Sequence, residues 1–158
     1  MDRYFEKISY EQFKKDIKDD INLYKSYNIP SRATKNSAGY DFTCIDEFTI
    51  KPGEIKKMPT GIKAKMLSDE MLQLYVRSSL GFKYNIRLTN QVGIIDSDYY
   101  NNKDNEGHIW YSIQNHGDKE ITFKKGDRTI QGIFTKYLLT SDDKLNNNER
   151  ISGFGSTN

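Results

Sequence analysis

The sequence predicts a mainly β domain, a barrel or sandwich of short antiparallel strands preceded by one amphipathic helix. Two observations carry this. Between residues 47 and 139, apolar residues recur at every second position in short runs, the spacing that turns one side of a strand toward a core. The runs are parted by clusters of Asn, Asp, Gly and Lys, and many short strands with close turn signals pack as sandwiches or barrels. A helical repeat is strong only near the N-terminus.

Residues 9–24, SYEQFKKDIKDDINLY, set Tyr10, Phe13, Ile17, Ile21 and Tyr24 at steps of three and four, one apolar face of a helix. Ser9 with Gln12 three residues on matches a capping box, so the helix is expected to begin there. Its mixed charges form a solvated outer face. Strands are expected at EFTI, then after a Pro52-Gly53 turn through EIKKMPTGIKAKM. MLQLYVRSS alternates through Leu72, Leu74 and Val76, and IRLTNQVGII, HIWYSIQ and EITFKKGDRTIQGIFTKYL continue the series. From Ser141 the chain is rich in Asn, Ser and Gly and too poor in apolar residues to pack, which predicts a flexible C-terminal tail. The expected organisation is a helical extension over 1–28, a β core over 29–140 and an arm over 141–158. A length of 158 residues suits one core rather than two.

Hydrophobic content is only 35% while Tyr and Phe number 11 and 8, so aromatic rings must carry much of the burial. The 24 basic and 22 acidic residues leave a net charge of +2, too balanced for a general nucleic-acid or membrane-surface binder. An anionic ligand must therefore be caught by a local site. Cys44 is alone, which leaves no disulfide framework and fits a reducing cytosol. There is no run of 18 apolar residues, and MDRYFEKISY lacks the apolar stretch of a secretion signal, so a cytoplasmic protein is expected. No GxxxxGK phosphate loop, HExxH or CxxC occurs, and no histidine spacing supports a nucleophilic triad. His108 and His116, in a polar region, read as surface residues, and Trp110 as core or interface.

Five short stretches remain, all at loops or strand ends: SAGYDF (37–42), RSSLG (77–81), NQVGIIDSDY (90–99), GDRTIQ (126–131) and RISGFGST (150–157). The third runs an apolar strand straight into Asp96, Ser97, Asp98 and Tyr99. An unpaired carboxylate out of water is costly. Either this strand ends in a polar turn, or one carboxylate holds a water against a substrate. Taken singly, the stretches read equally well as turns, surface pairs or a loose tail.

Together, in this order and spacing, they resemble the five motifs of the homotrimeric dUTPase family, with RSS and GIIDSDY nearly to the letter. The likeness runs from about Ile29 to the last residue. It implies a dUTPase-like, jelly-roll-like β-barrel that hydrolyses dUTP to dUMP and pyrophosphate with Mg²⁺. It also implies a homotrimer with shared sites: motifs one, two and four from one chain, motif three from a second, the tail from a third.

By the same resemblance Asp96 is the carboxylate that activates the attacking water at the α-phosphorus. A carboxylate is ionised at neutral pH and accepts a hydrogen bond from water, while Mg²⁺ and cationic donors spread the phosphate charge. Tyr99 corresponds to the ring against the deoxyribose, and Asn90 to a base contact opening a hairpin whose backbone reads uracil. Asp41 corresponds to the carboxylate near the magnesium ion. Arg77 and Ser78, with Ser79 and Gly81 as backbone donors, and Gln131 match phosphate-binding positions. Arg150 matches the arginine that closes on the γ-phosphate, Phe154 the ring that stacks on uracil, and Ser156 and Thr157 donors to phosphate. Asp98 is left as a turn residue and Arg128 as a structural or interface cation.

Two features fall outside the pattern. The N-terminal helix is expected to pack on the barrel or at a trimer edge. The loop NNKDNEGH (101–108) is longer than in compact members, and it leaves open a solvated loop, control of access, or contact with a regulatory protein partner. Two rival readings are a dUTPase-fold binding protein and the related dCTP deaminase class, which shares the fold and an RSS-like stretch. IDSDY and the GFGST tail favour the hydrolase. Neither nucleic acid nor membrane is an expected partner.

Overall fold

The computed structural model describes residues 2–144 and Arg150. Among them the chain is mainly β, with eleven strands and three short helices. No helix among these residues is long and apolar enough to cross a membrane.

One sheet joins β2 (Tyr40–Thr43), β11 (Arg128–Lys136), β6 (Glu70–Val76) and β8 (Gly93–Asp96) in that order. A second joins β4 (Ile55–Pro59), β9 (Trp110–Asn115) and β7 (Ile86–Leu88). Two ribbons, β1 (Tyr4–Lys7) with β5 (Ile62–Lys65) and β3 (Phe48–Ile50) with β10 (Ile121–Phe123), complete a jelly-roll-like, antiparallel arrangement. Alternation explains the core: Leu72 and Leu74, Phe42, Ile130 and Ile95 turn inward from the first sheet. Ile86, Leu88 and Ile113 meet them from the second, in one apolar cluster. Each such side chain stabilises the fold by about 1.5–3 kcal/mol relative to exposure.

Three local expectations are corrected. EIKKMPTGIKAKM is two strands parted at Thr60 and Gly61, because Gly61 takes φ +71° and lies under the Tyr27 ring, 2.6 Å from where a Cβ would be. RSS opens a helix, α3 (Ser78–Tyr84), which ends where Asn85 turns left-handed at φ 54°. IRLTNQVGII is not one strand, and its halves do not pair with each other as the hairpin expected at Asn90: β7 pairs with β9 and β8 with β6, so residues 89–92 form a corner between the sheets.

The N-terminal segment is a strand and two helices, α1 (Tyr10–Asp16) and α2 (Ile21–Ser26), rather than one continuous helix. Ser9 does cap α1, accepting from the Gln12 amide at 3.2 Å. The break follows from Asp20, whose carboxylate accepts from the Leu23 amide at 3.0 Å and starts a new helix. That resets the face: Leu23 is buried, and Ile21 is exposed. Phe13 packs against Tyr24 and Tyr27 with ring centroids 5.3 and 6.0 Å away, and an Arg3–Glu70 ion pair ties the N-terminus to β6.

Candidate active site

Asp41, Gln131 and Tyr75 are direct cross-strand neighbours on β2, β11 and β6, on the face turned away from the core. Asp41 accepts from Arg77 Nε at 3.1 Å, and Arg128 Nη1 lies 3.5 Å from its other oxygen. Two guanidiniums about one carboxylate leave a net positive cluster, suited to an anion. Arg128, expected as a structural cation, is thus part of it. Arg77 and Arg128 also line a cleft of about 540 Å³, together with Glu120 and Asp127. Gly39 of SAGYDF has a steric reason: a Cβ there would lie 2.3 Å from the Gln131 Oε1. Ser78 and Ser79 begin α3, where first-turn amides have no partner within the helix. The Gly81 amide bonds the Arg77 carbonyl at 3.2 Å.

The second group of residues surrounds a pocket of about 570 Å³ between the two sheets. Asn90 stands at its rim, Ile94 and Ile95 on one wall, Trp110 and Tyr111 on another, and Asp104 and Asn105 close it from the 101–108 loop. Trp110 is therefore a pocket wall rather than core alone. Asp96 ends β8 one residue beyond Ile95, and its side chain is exposed. A 3-10 turn over Ser97–Tyr99 then sinks the Tyr99 ring into the core, 4% exposed. Its hydroxyl donates to the His108 carbonyl at 2.7 Å, and burial raises the phenol pKa, so the donor proton stays in place.

Arg150 spans both carboxylates of this turn, donating to Asp96 at 2.6 Å and Asp98 at 2.8 Å, with its guanidinium carbon 5.8 Å from the Tyr99 ring centroid. Asp98 lies in the 3-10 turn, as expected of a turn residue, and also accepts from Arg150. Phe154, Ser156 and Thr157 lie outside the described residues. His108 is corrected from surface to fully buried.

Asp104 and Asn105 were not among the residues singled out from sequence, and Trp110 reads there only as core or interface. The run of Asn, Asp and Gly marks a loop, and only its fold-back brings it to the pocket. The two groups stand apart within one chain. Asp41 and Asp96 are separated by three strand spacings and four residues of register, or about 20 Å at 4.8 Å per spacing and 3.3 Å per residue.

A family model described as dUTPase matches residues 25–158. The chain belongs to the dUTPase family. It is 47% identical over 140 residues to the deoxyuridine 5'-triphosphate nucleotidohydrolase of Lactococcus lactis subsp. lactis (strain IL1403), covering 87% of this chain and 93% of that one. The crystal structure of dUTPase from Streptococcus mutans superposes with a TM-score of 0.69 at 40% identity, over 86% of this chain and 97% of that chain. A mutant dUTPase from phage phi11 of S. aureus gives a TM-score of 0.68 over 92% of this chain and 97% of that chain. At 15% identity it supports the dUTPase fold alone; that structure is described as revealing the coordination of a structural Mg(II) ion.

Proposed function

We infer that this chain hydrolyses dUTP to dUMP and pyrophosphate, in keeping with its family. The observation that carries the reading is the position of Asp96, exposed at the end of β8 and one residue past the wall of a nucleoside-sized pocket. From there its carboxylate accepts a hydrogen from a water directed at the α-phosphorus. Asn90 and the backbone of the 89–92 corner meet the base. Tyr99 lies against the deoxyribose, where a 2′-hydroxyl has no room. Arg77, Gln131 and the amides of Ser78 and Ser79 hold the phosphates, and electrostatic positioning is most of what phosphoryl substitution requires.

The separation of about 20 Å between Asp41 and Asp96 supports sites shared between chains, because a single nucleotide triphosphate does not span it comfortably. The assembly proposed is a homotrimer, and within one chain Arg150 already meets the Asp96 carboxylate, so tail and motif three act together. For Mg²⁺, Asp41 is the carboxylate available, and it is shared by two guanidiniums. Among the described residues no group of three or more His, Cys, Asp or Glu gathers to hold a metal. Such a donor set fits an ion that arrives on the triphosphate with its waters and meets Asp41 through them. Bound so, Mg²⁺ supplies neutralisation of phosphate charge. Cys44 is buried with its thiol pushed up to about 12 by desolvation, which suits an unreactive thiol in a reducing cytoplasm.

The test is pyrophosphate release from dUTP, with dCTP as control, run in oxygen-labelled water. Label in dUMP fits attack at the α-phosphorus; label in pyrophosphate overturns it. Ammonia release from dCTP would point to the deaminase class instead, and nucleotide binding without turnover to a binding protein.

A further inference from the structure

The N-terminal β1–α1 unit precedes the segment that matches the family, which begins at residue 25. It does not hang free of the site. Its residues grip the 101–108 loop at two points and the residue before it at a third: Ser9 donates through both amide and hydroxyl to Glu106 at 2.7 and 2.6 Å, Asp16 accepts from His108 at 2.5 Å, and Glu6 pairs with the Tyr100 hydroxyl. Lys63 of β5 completes the hold on Glu106 at 2.9 Å. Burial pushes the Glu106 carboxyl up, yet the Ser9 and Lys63 hydrogen bonds outweigh it and keep the group ionised.

His108 is the central strut. The Gly61 amide donates to its Nε2 at 2.9 Å, so that nitrogen carries no proton and Nδ1 must be the donor to Asp16. One neutral tautomer is thus set from both sides. Inside the loop, Asn102 donates to the Tyr99 carbonyl and to Asn105 Oδ1, each at 2.8 Å. Asn105 in turn donates to the Tyr99 hydroxyl at 2.8 Å while lining the pocket. The Tyr99 hydroxyl thus sits between Asn105 and the His108 carbonyl.

We propose that the 101–108 loop, braced from outside by the N-terminal unit, is the sugar-side wall of the nucleoside pocket and sets the preference for deoxyribose over ribose through Asn105 and Tyr99. Asp16, Ser9 and Glu106 are its positioning residues. The proposal rests on Tyr99 lying against the deoxyribose. A wall that excludes one hydroxyl must not yield, and a surface loop of Asn, Lys, Asp and Gly yields unless something holds it. The contacts from β1 and α1 supply that hold.

The experiment compares kcat/KM for dUTP and UTP in the full chain. Asp16→Ala should lower the dUTP-over-UTP ratio about tenfold, the loss that one hydrogen bond explains at 1.4 kcal/mol per decade. The kcat for dUTP should fall less than the ratio does. Asp16→Asn, whose amide oxygen still accepts from His108, should restore the ratio. In the Asp16→Ala, Tyr99→Phe double variant the two losses should not add, because Asp16 acts through the Tyr99 hydroxyl. Glu106→Gln cuts the other brace and should shift the ratio the same way, which decides the matter if Asp16→Ala does not fold. A wild-type ratio in Asp16→Ala or Glu106→Gln, or full additivity with Tyr99→Phe, overturns the proposal. If Tyr99→Phe also leaves the ratio unchanged, the placement of Tyr99 at the sugar is what fails.

Discussion

Asp41 and Asp96 stand on the same face of one four-stranded sheet, three strands apart and four residues out of register. Neither reaches the other's neighbourhood within a chain. The expected consequence is complementation. An Asp96→Asn chain mixed with an Arg77→Ala chain, each inactive alone, should regain about a quarter of full activity, since a random trimer joins both intact residues at that fraction of sites. Light scattering should give a trimer. A fully active monomer would mean that one chain brings the two groups together by itself.

Asp96 is exposed and accepts from Arg150, so its loss leaves no buried hole. Asp96→Asn should keep dUTP affinity and lower kcat by about 10²–10⁴, the range for removing a general base. Isothermal titration with a non-hydrolysable analogue separates affinity from turnover. Affinity lost together with turnover would assign Asp96 to binding instead.

Arg150 bonds two carboxylates whose side chains are more than half exposed. Such pairs contribute about 0–1 kcal/mol to stability. Arg150→Ala should therefore leave the melting temperature nearly unchanged. The same change should lower kcat/KM for dUTP at least tenfold if the residue serves phosphate. Equal kinetics in the variant would reduce Arg150 to a surface pair.

Burial lowers the His108 pKa below its usual 6.5, against the opposing pull of Asp16 and Glu106, with the Trp110 ring 5.2 Å away. The unfolded chain takes up this proton near pH 6.5 and the folded chain does so only at lower pH. Stability from this residue is therefore complete above about 6.5 and is lost as pH falls through the folded value. Melting temperature should decline between pH 7 and 5.5, and His108→Gln should flatten that decline while lowering stability throughout. An equal slope in the variant would place the acid sensitivity elsewhere.

Gly107 takes φ +85°, and a Cβ there would lie 2.8 Å from the Tyr99 carbonyl oxygen. Left-handed backbone costs an L residue about 1–2 kcal/mol before that clash is counted. Gly107→Ala should lower the melting temperature by roughly 2–8 °C for a domain of this size. Differential scanning calorimetry checks it, with Gly53→Ala, where the open turn offers no clash, as the comparison.

The sequence alone determined the features whose cause lies within a few residues. The Ser9 cap and the inward alternation of Leu72 and Leu74 are of this kind, and the ordered set of motifs that marks the family is read along the chain in the same way. Backbone hydrogen bonding and side-chain period are written locally, so they can be read locally. The tertiary structure decided whatever depends on a distant partner. His108 looks like a surface histidine until Asp16, 92 residues away, and the Gly61 amide take its two nitrogens. IRLTNQVGII reads as one strand until β9 and β6 claim its halves. The expected helix breaks because Asp20 caps a second one and Leu23 finds the core. Burial is a property of the assembled surface, and no spacing along the chain states which faces will meet.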